Sequence, residues 1–412
     1  MSDEPTRPAP PKKGEAAAGL PLVPRFTDQG YAAGQVRERR EWIARQTGAD
    51  LPLVAACAIP TEEMRGNIEN PIGAVQMPLG VAGPLLVHGE HAQGMFYVPM
   101  ATTEGALVRS YERGMVMLTR AGGVTVRVFA DQNVVSPIFS FDSVAEAHRF
   151  AADLPRHFEA LRAQAESTTR HGRLVRVDPR PSGRAVIVSF YFHTADAQGM
   201  NMIVKATERA AEWLVTSGLA PRFKVFSGLS SEKRASGFLL AGGKGKTVVA
   251  GARVPAAVLQ AYMRVTPADI VSVWHDTMLG HLQANAIGFN AHYANGLAAI
   301  FIACGQDVAN VANAAVGITD YELTPDGDLY ASVTLPSLTV ATVGGGTGLG
   351  TSRECLSLLG CAGSGHAPKF AEIVGAALLG GELSMAGAIG SGEFVNAHET
   401  YGRNRPAGES GA

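Results

Sequence analysis

The chain has 412 residues, of which 46% are hydrophobic and 17% charged, and it contains 48 glycines and 23 prolines. This composition is typical of a compact, loop-rich α/β enzyme and excludes a coiled coil or a fully disordered chain. The formal net charge of −2 provides no overall field for binding nucleic acid or an anionic membrane.

Cysteine usage and targeting signals bear on the cellular compartment. The four cysteines lack Cys-x-x-Cys spacing, and the first residues lack the basic and apolar regions of a secretory signal peptide. The apolar stretch 296–305 is shorter than the roughly 20 residues that cross a bilayer. We therefore expect a cytoplasmic protein without a membrane span.

The N-terminal part is predicted to be a tail followed by one helix. Residues 1–24 combine proline, charge and small side chains without periodicity, which predicts disorder. A helix rich in arginine and glutamate is expected over 33–46. Glycines and prolines then divide 68–100 into short strands and turns.

The centre of the chain, between about 124 and 228, has a more specific pattern. Strand-like and helix-like periodicities alternate in the order β-α-β-β-α-β, which is the ferredoxin-like arrangement. The segments are the strand GVTVRVFA, a helix over 144–161 that Pro155 should break, the strands RLVRV and RAVIVSFYF joined by the turn DPRPSG, a helix over 200–217, and the strand RFKVFSG.

These elements predict an α+β fold in which a small domain interrupts a larger one. The large α/β domain is expected at 25–128 and 226–385, the small ferredoxin-like domain at 129–225, and a C-terminal segment at 386–412. One continuous α/β domain is the alternative arrangement.

Two glycine runs resemble nucleotide motifs but fail the required spacing. GGKGKT (242–247) ends like a phosphate loop, yet Leu240 stands where a Walker motif needs glycine. TVGGGTGLGT (342–351) contains no Gly-x-Gly-x-x-Gly in register. It precedes the expected helix SRECLSLLG, whose free N–H groups could hold an anion, and a plain tight turn is the alternative.

The run DAQGMNM (196–202) is better placed to meet a phosphate. Gly199 and the following backbone open the second helix of the small domain, where free N–H groups favour a pyrophosphate. Arg170 and Arg173 add positive charge that suits a 2′-phosphate. A solvated basic loop is the alternative.

Four titratable residues stand in contexts that favour chemistry: Glu104 in ATTEG, Lys233 in SSEKR, Asp307 in ACGQD and His398 in VNAHE. Small and apolar neighbours should leave Glu104 poorly solvated, and Asp307 should be buried because it ends an almost wholly apolar helical stretch. Lys233 would be a suitable cation beside Asp307. Spacing alone does not unite the four, and a capping or ion-paired role is the alternative for each.

Hydrolase and metal chemistry lack their motifs. The sequence contains neither Gly-x-Ser-x-Gly nor His-Glu-x-x-His. We therefore predict no metal site.

Seven motifs, in their order along the chain, resemble those of the class I 3-hydroxy-3-methylglutaryl-coenzyme A (HMG-CoA) reductases, over about residues 33–405. They are ENPIG (69–73), PLGVAGPL (78–85), PMATTEG (99–105), DAQGMNM (196–202), FNAHYAN (289–295), IACGQD (302–307) and TVGGGT (342–347). The resemblance implies an enzyme that uses NADPH to reduce the thioester of HMG-CoA to the alcohol mevalonate in two hydride transfers, releasing coenzyme A.

The resemblance also gives the titratable residues roles, since Glu104, Lys233, Asp307 and His398 stand at the family's catalytic positions. Lys233 would stabilise the oxyanion that hydride attack creates, and Asp307 would keep this lysine charged and couple it to Glu104. Glu104 would deliver a proton. His398, in a C-terminal flap beside the glycines of GSGEF, would protonate the coenzyme A thiolate.

Further positions match the ligand contacts of the family, whose small domain binds NADPH. The cofactor positions are Thr169, Arg170, His171, Asp196, Gly199, Met200, Asn201, Met202, Gly344, Gly345 and Gly346. The substrate positions are Arg113, Arg127, Ser227, Glu232, Arg234, His292 and Asn295. The family also implies a homodimer or a higher homo-oligomer with shared active sites, and neither nucleic acid nor membrane as a partner.

Several residues depart from the family pattern. Gln198 replaces the usual methionine of DAMGMNM, and Glu232-Lys233-Arg234 replaces Asp-Lys-Lys, which preserves charge but alters reach. The family lysine that holds the distal carboxylate of the substrate is missing, because no lysine occurs from 247 to 368. His275 or Asp276 stands near its position.

Losing this lysine should cost roughly 1.5–3 kcal/mol of binding free energy. Carboxylate binding would then depend on Arg127 and Arg234. One alternative is therefore a reductase for a different 3-hydroxy or branched acyl-CoA. A non-catalytic paralogue that binds acyl-CoA is the other, although all four catalytic positions are retained.

Overall fold

The computed structural model describes residues 22–28 and 30–392. Most of the predicted tail, the greater part of the predicted flap and His398 therefore lie outside the described residues. The chain divides into two compact units, one ending at Gln76 and one beginning at Met77. The predicted boundaries between a large and a small domain stay predictions.

In the part of the first unit that the structure describes there are two helices, α1 (Ala33–Thr47) and α2 (Pro52–Ala55), and a 3₁₀ turn at Thr61–Met64. The predicted helix over 33–46 is confirmed. Its Arg39 is buried and donates to the carbonyl oxygens of Pro24 and Pro71, at 3.1 and 3.0 Å. This side chain holds the ENPIG segment against α1 because its several donors can satisfy more than one carbonyl.

The described residues of the second unit, 77–392, contain ten strands. They are β1 (Leu79–His88), β2 (Gln93–Ala101), β3 (Val124–Val135), β4 (Ile138–Ser140), β5 (Arg173–Ser182), β6 (Ala185–His193), β7 (Phe223–Lys224), β8 (Gly245–Val254), β9 (Ile318–Leu323) and β10 (Leu329–Leu338). One part of the sheet has the order β2-β1-β3-β8-β10-β9, antiparallel except for the short β1–β3 pairing.

The helices of this unit alternate irregularly with the strands, as in an α+β fold, and they confirm that class. They are α3 (Leu107–Arg120), α4 (Val144–Asp153), α5 (Phe158–Glu166), α6 (Met200–Thr216), α7 (Gly237–Leu240), α8 (Ala256–Met263), α9 (Pro267–Gln283), α10 (Tyr293–Ala303), α11 (Val311–Ala314), α12 (Gly350–Leu358) and α13 (Ala367–Gly390). Short 3₁₀ turns cover Leu154–His157, Val308–Asn310 and Gly345–Gly348.

A second hydrophobic core forms between 135 and 220, where α4, α5 and α6 pack on strands β4, β5 and β6. Here β6 pairs with β5 along one edge and with the end of β3 and then β4 along the other, and β7 follows β4. Pro155 breaks the predicted long helix into α4, a 3₁₀ turn and α5, as expected for a residue without an N–H group.

Two sequence predictions in this region are wrong. The segment DPRPSG is not a turn, because Asp178 to Ser182 continue β5 in register with β6 and only Gly183 and Arg184 form the connection. Prolines are tolerated there because β5 pairs with β6 and has no partner on its other side among the described residues. The last strand is confined to Phe223–Lys224.

The helix α13 forms the centre of the larger core. By length and apolar composition it could cross a membrane, but 83% of its most apolar window is buried inside the described structure, as in the core helix of a globular unit. It crosses α3 closely, since a Cβ atom at Gly114 would collide with the carbonyl oxygen of Gly380. The sequence-based expectation about apolar stretches did not include this helix.

Candidate active site

Lys233 and Asp307 form an ion pair, with 2.8 Å between Nζ and Oδ2. Their side chains are 46% and 43% exposed, so the expected burial of Asp307 is wrong. The apolar helix α10 ends at Ala303, and the chain then turns outward through Gly305, whose φ is 64°. Asp307 emerges at the surface, where its Oδ1 accepts from the Ala309 N–H and caps the 3₁₀ turn.

The turn that carries Lys233 has an unusual backbone. Lys233 has a φ of 56° and Ser231 a φ of 48°, a left-handed conformation that costs a residue with a Cβ atom and persists only where surrounding contacts hold it. Two such contacts are the hydrogen bond from Ser236 Oγ to Ser231 Oγ, 2.7 Å, and that from the Arg234 N–H to Asn313 Oδ1, 3.2 Å.

Glu104 lies in the loop between β2 and α3 and is bound by Asn295 from the first turn of α10. The amide nitrogen of Asn295 lies 3.0 and 2.9 Å from the two carboxylate oxygens. Glu104 is exposed, so the expectation of poor solvation from its apolar neighbours is wrong. Whether a loop such as ATTEG is covered by other parts of the fold depends on contacts between distant segments. The apolar or small character of its sequence neighbours does not determine it.

A buried carboxylate supports the start of α10. Glu382 of α13 accepts hydrogen bonds from the N–H groups of Ala291 and His292, at 3.1 and 2.6 Å, and from Thr319 Oγ1, at 2.7 Å. Burial raises the pKa of Glu382, and these donors oppose the rise. The segment that leads to Asn295 is thereby tied to the central helix.

His292 itself is buried rather than open to solvent. Its ring stacks on Tyr111 with centroids 5.0 Å apart, its Nε2 atom has no hydrogen-bond partner within the described structure, and burial lowers its pKa to about 4. Its predicted contact with substrate stays a prediction.

The predicted cofactor segments meet at the start of α6. Gly199 has a φ of 68° and directly precedes Met200, the first residue of the helix. The turn of Thr169 lies beside it, with Oγ1 2.8 Å from Met202 Sδ, and the next residues, Arg170 and His171, are exposed. An anion at this helix start would meet free N–H groups and a nearby guanidinium.

Asp196, a predicted cofactor residue, also makes hydrogen bonds that join separate segments of the fold. Its carboxylate accepts from the N–H groups of Gly365 and Ala367, 2.8 and 3.1 Å, at the start of α13, and these bonds lower its pKa although burial opposes them. Its carbonyl oxygen accepts from the N–H groups of Thr342 and Val343. The structure therefore gives Asp196 a role in joining the DAQGMNM and TVGGGT segments.

The glycines at 344–346 pack where two motifs meet. A Cβ atom at Gly305 would collide with the carbonyl oxygen of Gly346, so the TVGGGT turn lies directly against the turn that leads to Asp307. Gly344 and Gly345 have φ values of 84° and 56°, as a tight turn requires. The predicted helix after this turn is α12.

The other predicted substrate residues are engaged inside the unit. Arg127 donates to the carbonyl oxygens of His88 and Val126, and Arg113 donates to Ser384. Ser227 Oγ donates to the Ser136 carbonyl oxygen at 2.6 Å. None of these contacts joins them to the Lys233–Asp307 pair, and their substrate contacts stay predictions.

The segment without lysine forms α9. His275 and Asp276 are 74% and 73% exposed there, with 3.4 Å between Nδ1 and Oδ1. Neither contacts Glu104 or Lys233 by a hydrogen bond or ion pair within the described residues.

Sequence reasoning missed Lys244. This side chain is fully buried, and its Nζ contacts the carboxylate of Glu232 and lies 3.7 Å from Met200 Sδ. Burial lowers its pKa to about 8. The signal was a lysine between glycines in GGKGKT, a run otherwise set aside because it fails as a Walker motif.

Three comparisons with known proteins were informative. The family model described as hydroxymethylglutaryl-coenzyme A reductase matches residues 35–403. The 3-hydroxy-3-methylglutaryl-coenzyme A reductase of Methanothermobacter thermautotrophicus is 46% identical over 89% of this chain and 93% of its own length, and that of Methanocaldococcus jannaschii is 44% identical over 89% and 92%. A rice enzyme of this name is 36% identical over 94% of this chain and 74% of its own length.

Among solved structures, the fold is similar to the class II enzyme of Streptococcus pneumoniae bound to NADPH in open conformations. The TM-score is 0.65 at 21% identity, covering 86% of this chain and 96% of that one. At this identity the likeness concerns the fold alone.

Proposed function

The chain belongs to the hydroxymethylglutaryl-coenzyme A reductase family, and from that premise we propose that it reduces HMG-CoA. One HMG-CoA, two NADPH and two protons give mevalonate, free coenzyme A and two NADP⁺. The observation that carries the proposal is the ion pair between Lys233 and Asp307, which joins an ammonium and a carboxylate from two separate segments. The second carboxylate, Glu104, is held by Asn295.

Each group suits one part of the reaction. Hydride addition to a thioester carbonyl creates an oxyanion, and the Lys233 ammonium stabilises it without reorganisation because Asp307 already fixes its position. Glu104 is the proposed proton donor, and Asn295 orients its carboxyl group. His398 protonates the departing thiolate, as the family resemblance implies.

NADPH is the proposed cofactor, and each of the two NADPH molecules used in turn would supply one hydride. The start of α6 after Gly199, with Thr169 beside Met202, fits a phosphate-bearing ligand. Arg170 and His171 lie next to it and suit a 2′-phosphate because a guanidinium binds phosphate oxygens in pairs. Asn201 and the glycines at 344–346 complete the proposed set.

We assign the chain to class I, to the cytoplasm and to a homodimer or higher oligomer with shared active sites. The motif PMATTEG, which resembles that of the class I enzymes, supports class I. The oligomer and the cytoplasmic location are supported by the family resemblance.

A second candidate is reduction of another 3-hydroxy or branched acyl-CoA. The observation that favours it is α9, which has no lysine and presents only exposed His275 and Asp276 near the expected position. Arg234, which directly follows Lys233 in the sequence, would then be the cation that binds the acyl group.

The test is to mix the purified protein with HMG-CoA and to follow NADPH absorbance and free thiol together, with NADH and a panel of acyl-CoAs alongside. Two NADPH oxidised per thiol released would establish the four-electron reductase. Turnover with another acyl-CoA and none with HMG-CoA would establish the second candidate. A protein that binds acyl-CoA without any turnover would be the non-catalytic paralogue.

A further inference from the structure

Lys244 lies at the junction of two segments that the proposed function uses. It precedes β8 and stands between Gly243 and Gly245, whose φ values are 139° and 76°. A Cβ atom at Gly245 would collide with the carbonyl oxygen of Leu338, so only glycine lets the chain pass β10 here. These backbone angles allow the lysine between them to enter the interior.

The ammonium group has two contacts. Its Nζ meets the carboxylate of Glu232, the residue directly before Lys233, and lies 3.7 Å from the sulfur of Met200, the first residue of α6. The Lys244 side chain has no exposed surface, whereas that of Glu232 is 32% exposed. A buried ammonium needs a charged partner, so this contact fixes Glu232 strongly.

The Lys233 turn is thereby held on both sides. Glu232 is bound by Lys244 on one side, and the Arg234 N–H is bound by Asn313 on the other. Between them Lys233 keeps its left-handed backbone and reaches Asp307. A backbone of this kind relaxes when the contacts that impose it are lost.

We propose that Lys244 is a positioning residue of the reductase: through Glu232 and Met200 it fixes the Lys233 turn relative to the first turn of α6. This inference rests on the proposed function, in which α6 holds the hydride donor and Lys233 the developing oxyanion. Hydride transfer depends steeply on the distance between donor and acceptor, and a misplacement of about 1 Å costs on the order of 100-fold in rate.

The test compares K244M with the unaltered enzyme. Methionine keeps most of the volume and removes the charge. The KM values for NADPH and HMG-CoA should stay within about threefold while kcat falls by about 10- to 100-fold. The deuterium isotope effect on kcat, measured with NADPH deuterated at the reactive C4 position, should rise because hydride transfer becomes slower relative to the other steps.

The pair is also tested by E232Q, which removes the charge of the partly exposed Glu232 and keeps the shape of its side chain. If the two residues act as one unit, the double variant E232Q/K244M should be no slower than the slower single variant. Effects that multiply would overturn the proposal. If E232Q raises the KM for HMG-CoA and leaves kcat unchanged, Glu232 acts only in substrate binding. That result would also overturn the proposal.

The matched control is K246M. Lys246 is also buried and pairs with Asp131 at 3.0 Å, but it has no contact with Glu232 within the described structure. Its loss should lower thermal stability while leaving the isotope effect unchanged. If K244M does not fold, E232Q decides by the same isotope effect. Absence of turnover in the unaltered protein would refute the proposed function, whereas normal kcat and isotope effect in K244M and E232Q would refute only this inference.

Discussion

Asn295 binds Glu104 through one nitrogen, which lies 3.0 and 2.9 Å from the two carboxylate oxygens. The amide comes from α10 and the carboxylate from the loop before α3, so the contact fixes a loop residue to a helix that the buried Glu382 anchors. The orientation of the proposed proton donor therefore depends on a side chain 191 residues away in sequence.

We expect N295A to lower kcat by roughly tenfold, with a smaller change in KM, because a hydrogen bond to a charged group is lost and the loop gains freedom. N295D should be slower still, since it places two carboxylates in contact. Steady-state kinetics with HMG-CoA checks both. Activity of N295D equal to that of the unaltered enzyme would contradict this account of the pair.

The Lys233–Asp307 ion pair leads to a second prediction. D307N keeps the shape of the side chain and its cap on the Ala309 N–H, but it removes the charge that fixes the Lys233 ammonium. We expect kcat to fall by about 10- to 100-fold with little change in the melting temperature.

The control for D307N is D326N, which removes a carboxylate from another ion pair, that with Arg253 at 2.8 Å. It should leave kcat unchanged. A large fall in melting temperature for D307N would show that Asp307 acts chiefly through its cap. Equal losses of kcat in the two variants would show that general charge loss, rather than this pair, is responsible.

Local sequence rules explain much of the fold and less of the site. The break at Pro155, the helix α1 and the glycine that opens α6 follow from short-range chemistry, and the structure has all three. The continuation of β5 through Pro179 and Pro181 does not follow, because it depends on β5 having a partner on one side only.

Burial at the site was the least predictable property. The apolar run before Asp307 suggested a covered carboxylate, yet the turn at Gly305 brings it to the surface. Conversely, nothing in the local pattern of GGKGKT indicates burial, and its Lys244 is fully buried. Both outcomes depend on contacts between distant segments, which a local pattern does not contain.

The close crossing of α3 and α13 predicts that two glycine-to-alanine substitutions differ in their effect on the free energy of unfolding. G114A would drive a Cβ atom into the carbonyl oxygen of Gly380, and neither backbone can move without disturbing the core. We expect a loss of about 1–3 kcal/mol or more in the free energy of unfolding. Urea unfolding measures it.

The matched substitution is G280A in α9, where a Cβ atom would have no neighbour within 4 Å. Alanine restricts the unfolded chain and favours the helix, so this variant should gain roughly 0.5–1 kcal/mol. Equal and small effects of the two variants would mean that α3 and α13 are less closely packed than the structure shows.

The burial of His292 predicts a pH dependence of stability. Its pKa falls from the ordinary value of 6.5 to about 4 in the folded protein, because burial disfavours the charged ring. Between these values the unfolded chain binds more protons than the folded one, so the contribution is fully present above pH 6.5 and is lost as the pH falls toward 4. The loss should reach about 3 kcal/mol.

Burial raises the pKa of Glu382, so this group makes the unfolding free energy depend on pH in the opposite direction. The contribution of His292 must therefore be isolated by substitution. H292F keeps a ring to stack on Tyr111 and does not titrate. The difference in unfolding free energy between H292F and the unaltered protein should shift in favour of H292F as the pH falls from 6.5 to 4. H148F, at an exposed position, controls for the general effect of replacing a histidine by phenylalanine. A difference that shifts the other way would mean that the ring is protonated in the folded state and paired with a carboxylate.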